Sequence, residues 1–262
     1  MAITCLRTDF FERLQSCNHP VLLLDYDGTL APFTVERDRA EPYANAIESL
    51  QRICRTTGTR TIFITGRAAG DLDRLLRPYE LSCEIWGGHG RERLHPDGTL
   101  TTIEIEPEAT QVLRQAETLL AMEGLGGIVE LKPFSLAVHW RGLDLKGQRD
   151  TRIGALRAFA FLRTKANCRL LEFDGGMELL VGRRDKGDAV RAILKELPAK
   201  TPVAYLGDDL TDEDAFLALG DAGLTVLVRP ELRPTAAQLW IRPPHELTRF
   251  LETWLDSCGG AA

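Results

Sequence analysis

VLLLDYDGTLAPF, residues 21–33, is an apolar run that ends in two aspartates one residue apart, followed by a Gly-Thr turn. Four apolar residues bounded by turn formers read as a short buried strand over Val21–Leu24. In open parallel sheets, ligands gather at the carboxyl ends of the strands. Asp25 and Asp27 stand at that end. Residues i and i+2 of an extended segment point the same way, so both carboxylates can address one site. Two such charges repel by about 4 kcal/mol at contact distance and an effective dielectric near 20. A cation has to offset this, and hard carboxylate oxygens suit Mg²⁺. A polar strand end before a glycine turn would show the same letters, so this stretch alone leaves the chemistry open. An EF-hand is excluded, because its later acidic positions are missing.

Outward from this stretch the pattern alternates. Residues 41–56 predict a helix with Ala46, Ile47, Leu50 and Ile53 on one face. Thr61–Thr65 predicts a second buried strand, residues 69–77 a helix ending before Pro78, and Ser82–Trp86 a third strand leading into Gly-Gly-His-Gly. The rhythm returns late, with helices over 188–197 and 212–219 and strands over 203–206 and 224–228. Alternating strands and helices predict an α/β fold: a Rossmann-like core with a mainly parallel sheet and helices on both faces.

The middle of the chain differs. Helical spacing over 108–123 and 147–164 flanks short strand patterns at 128–132, 135–141, 168–173 and 177–181, the last two split by Asp174-Gly175-Gly176, a hairpin signal. Hairpins among helices predict an inserted α+β domain with an antiparallel sheet. The expected organisation is therefore a core of 1–107 and 185–262 interrupted by a second domain at 108–184.

A second acidic stretch strengthens the first. In YLGDDLTDEDAF, residues 205–216, Asp208 and Asp209 follow a buried run and Asp212, Glu213 and Asp214 open the next helix. Acids in a first turn complement the helix dipole, which accounts for Glu213 and Asp214. It does not account for Asp208 at a strand end behind Gly207. Two signals for anion binding lie between the acidic clusters. Thr65-Gly66-Arg67 ends the second strand and starts a helix, where a hydroxyl and free backbone N–H groups suit an anion. Lys186 precedes the late helix and opposes its dipole, so it needs a negative partner.

Composition sets the outer limits. The chain has 262 residues, is 44% hydrophobic and 27% charged, and has a formal net charge of −6. That charge argues against a nucleic-acid or anionic-membrane surface. Cys5, Cys17, Cys54, Cys83, Cys168 and Cys258 form no CxxC pair and read as reduced thiols of a cytoplasmic protein. No apolar run approaches the roughly 20 residues that cross a bilayer, and the first residues lack a signal peptide's apolar centre.

Together, Asp25-Tyr26-Asp27-Gly28-Thr29, Thr65, Lys186 and Gly207-Asp208-Asp209-Leu210-Thr211-Asp212 resemble, in order, the motifs of the haloacid-dehalogenase superfamily of phosphatases. The inserted segment resembles that superfamily's C2-type cap. Within the superfamily the chain is similar to the trehalose-6-phosphate phosphatases, on GGHG (87–90), VELKPFSLAVHWR (129–141), Glu178 and GDDLTDEDAF (207–216). It departs from that family at Leu180-Val181, where an Arg-Pro pair is usual, and at Arg91-Glu92, where a small residue precedes the glutamate.

The resemblance implies Mg²⁺ held by Asp25, the Tyr26 backbone carbonyl, Asp208 and Asp212. Asp209 and the Asp27 backbone are further candidates. It implies Asp25 as nucleophile, Asp27 as acid and base, and Thr65 and Lys186 on the phosphoryl oxygens, with Gly66 and Arg67 beside them. Strand alternation over 135–141 puts Ser135, Ala137, His139 and Arg141 on one face and Leu136, Val138 and Trp140 on the other. Glu130, Lys132, His139, Arg141 and Glu178 then make a polar cap face suited to sugar hydroxyls, with His89 at the mouth between core and cap. A wet sheet face would look similar. The implied partner is a small sugar phosphate, with a functional link to a trehalose-6-phosphate synthase. Alternatives are a phosphatase for sucrose phosphate or glucosylglycerol phosphate, a phosphomutase, or a non-catalytic sensor or passive synthase partner.

Overall fold

The structure is a computed structural model that describes residues 2–34, 37–162, 165, 168–173 and 175–259. In chain order its elements begin with α1 (Ala2–Gln15), β1 (Val21–Leu24), α2 (Ala44–Thr56), β2 (Arg60–Ile64), α3 (Ala69–Leu76), β3 (Glu84–Gly87), β4 (Glu92–Leu94) and β5 (Leu100–Thr102). Next come α4 (Pro107–Met122), β6 (Val129–Lys132), β7 (Ser135–His139), α5 (Leu145–Ala160), β8 (Arg169–Phe173) and β9 (Gly176–Leu180). The chain closes with α6 (Lys186–Glu196), β10 (Val203–Gly207), α7 (Asp212–Leu219), β11 (Leu224–Val228), β12 (Leu239–Ile241) and α8 (His245–Ser257). Two compact units result: Met1–Thr101 with Asp185–Ala262, and Thr102–Arg184.

The first unit is built on an eight-stranded sheet in the order β12-β11-β10-β1-β2-β3-β4-β5. From β12 to β3 all neighbours run parallel, and β4 turns back antiparallel to β3. Strand β1 is central, with Leu24 opposite both Phe63 and Leu206. Its four residues are all buried, but they serve two cores. Leu22 and Leu24 join Phe63, Leu206 and the α2 and α8 side chains, while Val21 and Leu23 join Ile62, Tyr205, Val190 and Phe216 on the opposite face. Strands covered on both faces are apolar throughout, which hides their period of two.

Helix α2 buries Ala46, Ile47, Leu50 and Ile53 at helical spacing and packs against α8, which buries Leu247, Phe250, Leu251 and Trp254. The helix expected over 69–77 ends at Leu76 and tightens into a 3₁₀ turn, Arg77–Tyr79. Pro78 sits in the first turn of that segment, where its missing N–H leaves no bond unmade.

The second unit has a four-stranded antiparallel sheet in the order β6-β7-β9-β8. Leu136, Val138 and Trp140 pack with Ala116 and Leu120 of α4 and Ala155 and Phe159 of α5. The strand expected to continue through Arg141 stops at His139. Arg141 instead donates its backbone N–H to Gly175, and Gly142 turns the chain with φ +86 towards the Asp144 cap of α5. Asp174, in the expected hairpin turn, and Arg163 and Thr164, at the expected end of the long helix, lie outside the described residues.

Candidate active site

Three strands of the first unit deliver polar groups at their carboxyl ends. Asp25 follows β1 and extends its pairing, donating its N–H to Leu206 at 2.9 Å. Thr65 does the same after β2, bonding Trp86 at 2.9 Å. Asp208 follows β10, and Lys186 is the first residue of α6, whose Asp185–Asp188 capping box fixes the start of the helix.

These elements bring Asp25, Asp208 and Asp212 together. One carboxylate oxygen from each lies within 4.8 Å of the others, and all three residues are buried. The Lys186 ammonium sits among them, 2.6 Å from Asp25 Oδ1 and 2.8 Å from Asp212 Oδ1. The negative partner that Lys186 requires is thus a pair of carboxylates of the chain itself. Asp212 is held from three further sides. Tyr205 donates its hydroxyl at 2.6 Å, and the backbone N–H groups of Asp208 and Asp209 donate at 3.0 and 2.9 Å. Thr29 Oγ1 donates to Asp208 Oδ1 at 3.3 Å. Gly28, at φ +88, lies so close that any Cβ would overlap the Asp208 carboxylate.

The electrostatics follow from this crowding. Burial drives the Asp25 carboxyl up to about 7, against the pull of Lys186. Burial, with Asp25 and Asp212 adding to it, drives Asp208 well above the usual carboxylate range. Burial works against the Lys186 ammonium, but Asp212 and Asp25 together outweigh it and hold Lys186 above the ordinary lysine value. With all three carboxylates ionised against one ammonium, the group would carry an excess of two negative charges in a buried volume. A divalent cation matches that excess, and an all-oxygen donor set selects a hard ion.

Asp27 and Arg67 behave differently from the expectation of a shared carboxylate direction. The Arg67 guanidinium forks onto both Asp27 oxygens, Nε to Oδ2 and Nη2 to Oδ1, each at 2.6 Å. Asp27 therefore turns to a nearly fully buried arginine, while Asp25 turns to Lys186. The Tyr26 carbonyl, expected as a metal ligand, is engaged in the turn after the strand. That oxygen accepts the N–H groups of Leu30 and Ala31 at 2.9 Å and of Thr29 at 3.3 Å, closing the turn after the strand. The next carbonyl, that of Asp27, accepts none of these turn bonds. The Asp209 side chain stands outside the three-carboxylate group, and its backbone carbonyl accepts from Arg233.

The Thr65 hydroxyl accepts the Arg67 N–H at 3.1 Å. At the start of the following helix, Glu92 Oε2 accepts the Ala69 N–H at 2.6 Å. His89, at φ +55, donates its N–H to Thr65 and lays its ring on Gly66, where a Cβ would come within 2.8 Å of the imidazole.

In the second unit, Ala137 lies opposite both Glu130 and Glu178, so these carboxylates share one sheet face. Lys132 Nζ and Ser135 Oγ both donate to Glu178 Oε1, at 2.8 and 2.6 Å. His139 Nε2 lies 2.9 Å from Glu130 Oε2. Arg141 is not on that strand, and its side chain lies against Gly175.

Arg233 carries no motif, yet it clamps the acidic loop. It donates to the Asp208 carbonyl at 3.1 Å and the Asp209 carbonyl at 2.7 Å, and it pairs with Glu213. Among the described residues no helix is long and apolar enough to cross a membrane.

The fold is haloacid-dehalogenase-like. A haloacid dehalogenase-like hydrolase from B. subtilis superposes with a TM-score of 0.63 at 16% identity, covering 89% of this chain and 99% of that one. The C-terminal domain of a C. albicans trehalose-6-phosphate phosphatase superposes at 0.80 with 19% identity, covering 97% of each. The chain belongs to the trehalose-phosphatase family, whose model matches residues 23–237. A trehalose-phosphate phosphatase of Mycobacterium marinum is 34% identical over 249 residues, covering 88% of this chain and 60% of its own length. The Mycobacterium tuberculosis protein of the same name is 32% identical over 250 residues, covering 89% and 60%. The chain thus spans about 60% of the length of these relatives.

Proposed function

We propose that the chain hydrolyses trehalose 6-phosphate to trehalose and phosphate, with Mg²⁺ as cofactor and an aspartyl-phosphate on Asp25 as intermediate. The observation that carries this is the buried group of Asp25, Asp208 and Asp212 around Lys186, at the carboxyl end of the sheet of a trehalose-phosphatase family member. When bound there, Mg²⁺ would neutralise the phosphate dianion and favour the ionised form of Asp25.

The ionised Asp25 oxygen attacks phosphorus, and the bond to the sugar oxygen breaks. Lys186 holds Asp25 and draws charge from the phosphoryl oxygens as it shifts. Asp27 protonates the departing sugar oxygen, then takes the proton of the water that attacks phosphorus and frees Asp25. Each Asp27 oxygen accepts one Arg67 N–H and keeps a further lone pair for the proton. Thr65 and Arg67 are assigned to the phosphoryl group. Glu130, Lys132, His139, Arg141 and Glu178 are assigned to the sugar hydroxyls, since mixed donors and acceptors suit them.

Phosphate release from a panel of sugar phosphates, with Mg²⁺ and with EDTA, tests the reading. The expected result is a preference for trehalose 6-phosphate that disappears in EDTA. Preference for another sugar phosphate would overturn the substrate assignment, and full activity in chelator would overturn the metal.

A further inference from the structure

Cys17, Cys54, Cys83, Cys168 and Cys258 are free thiols. Two of them meet. Cys54, in the last turn of α2, has its sulfur 4.0 Å from that of Cys83, which immediately precedes β3. Among the described residues no other two thiols are in hydrogen-bonding contact. We propose that Cys54 and Cys83 are a modification site: an oxidisable dithiol that a peroxide-class oxidant converts into a disulfide joining α2 to the start of β3.

The geometry supports closure. A disulfide needs its sulfurs about 2.05 Å apart, so they must approach by about 2 Å from their thiol contact. Both residues are half-buried and sit at element ends. The two sulfurs are already adjacent. Cys258, by contrast, is in hydrogen-bonding contact with the hydroxyl of Thr59, and Cys168 lies in the second unit.

The environment also divides the labour between the two sulfurs. The Cys83 hydrogen bond, helped by Thr61 at 3.4 Å and opposed by burial, lowers the Cys54 thiol to about 7. The same bond raises Cys83 above the usual thiol range. Cys54 is then the attacking thiolate and Cys83 the protonated resolving thiol. The Cys54 thiolate attacks one peroxide oxygen. An S–O bond forms, the O–O bond breaks, and hydroxide leaves, so sulfur is oxidised to a sulfenic acid and peroxide is reduced. The Cys83 sulfur then attacks the Cys54 sulfur. The S–S bond forms, the S–O bond breaks, and the thiol proton leaves with the hydroxide as water.

The site stands apart from the carboxylates. Cys83 lies at the amino end of β3, whereas Asp25, Thr65 and Asp208 follow the carboxyl ends of their strands. Oxidation ties a loop of about 30 residues without touching the site described above, and a closed loop of that length stabilises by restricting the unfolded chain.

The test is peptide mapping of the native, reduced protein after treatment with hydrogen peroxide and alkylation of the remaining thiols. The expected result is one bridged peptide pair containing Cys54 and Cys83, reversed by dithiothreitol. In Cys83→Ser the bridge should be replaced by a Cys54 sulfenic acid that a dimedone probe traps. A bridge through Cys17 or Cys258, over-oxidation of Cys54 with Cys83 still free, or two unreacted thiols would each overturn the proposal. The wild-type map decides the matter even if Cys83→Ser folds poorly.

Discussion

Lys186 Nζ bridges Asp25 Oδ1 and Asp212 Oδ1, at 2.6 and 2.8 Å, with all three side chains almost wholly buried. This ammonium is tied to two of the three clustered carboxylates. Removing it strands them, and stranding a buried ion costs about 3–5 kcal/mol. Lys186→Met should therefore lower the melting temperature most in EDTA, and Mg²⁺ should restore part of the loss. Calorimetry with and without metal measures this. An unchanged melting temperature in EDTA would mean that Lys186 does not balance the site.

The raised carboxyls predict how metal-free stability depends on pH. Burial pushes the folded Asp25 carboxyl up to about 7 from an ordinary value of 3.8, and Asp208 is raised as well. Between these values the folded state holds protons that the unfolded state has released. The contribution of these groups is therefore present below the unfolded value and lost as pH rises through the folded one. Lys186, raised above its ordinary value, has its window at higher pH and does not oppose this. Denaturation in EDTA should show stability from this source falling from about pH 4 through about pH 7, the folded Asp25 value. Asp208→Asn should flatten the fall, and Mg²⁺ should stabilise the wild type more at the upper end. The same slope in Asp208→Asn and wild type would contradict the assignment.

The Arg233 clamp bears on the metal rather than on the chemistry. Its guanidinium holds the carbonyls of Asp208 and Asp209, whose N–H groups hold Asp212. Arg233→Ala should loosen this loop and raise the Mg²⁺ midpoint by about tenfold or more, with kcat largely recovered at saturating metal. Calorimetric titration of Mg²⁺ into the protein checks this without turnover. An unchanged midpoint with a lowered melting temperature would reduce Arg233 to a purely structural role.

Selectivity is predicted to rest on Glu178. Charge-assisted hydrogen bonds contribute about 1.5–3 kcal/mol, so Glu178→Ala should cut kcat/KM for trehalose 6-phosphate by about ten- to a hundredfold. Hydrolysis of a small generic phosphate ester should barely change. Because Glu178 also accepts from Lys132 and Ser135, the melting temperature must be read alongside. Equal losses on both substrates would assign Glu178 to the fold instead.

What the sequence discloses follows from the range of each interaction. The strands that place the site are short apolar runs closed by acids or Thr-Gly, and Val21–Leu24, Arg60–Ile64 and Val203–Gly207 all form where that pattern predicts. The shared face of Glu130, Lys132 and Glu178 follows from strand alternation. The Asp27–Arg67 fork does not, because it joins residues 40 apart through a loop conformation that no periodicity encodes. The Tyr26 carbonyl illustrates the same limit: strand spacing gives side-chain directions, but the turn after the strand sets where carbonyls point. The edge strands Leu100–Thr102 and Leu239–Ile241 are three residues long, too short for alternation to register. The clamp by Arg233 lies some two dozen residues from the loop it holds and has no local signal of its own.

The central claim is that Asp25 takes the phosphoryl group of trehalose 6-phosphate. Its most direct test is phosphate release from that substrate in Mg²⁺ by wild type and by Asp25→Asn, whose amide keeps the shape of the side chain but is a poor nucleophile. The account predicts rapid release by the wild type and a loss of roughly a thousandfold or more in the folded variant. Substantial turnover by Asp25→Asn, or none by the wild type, would contradict it.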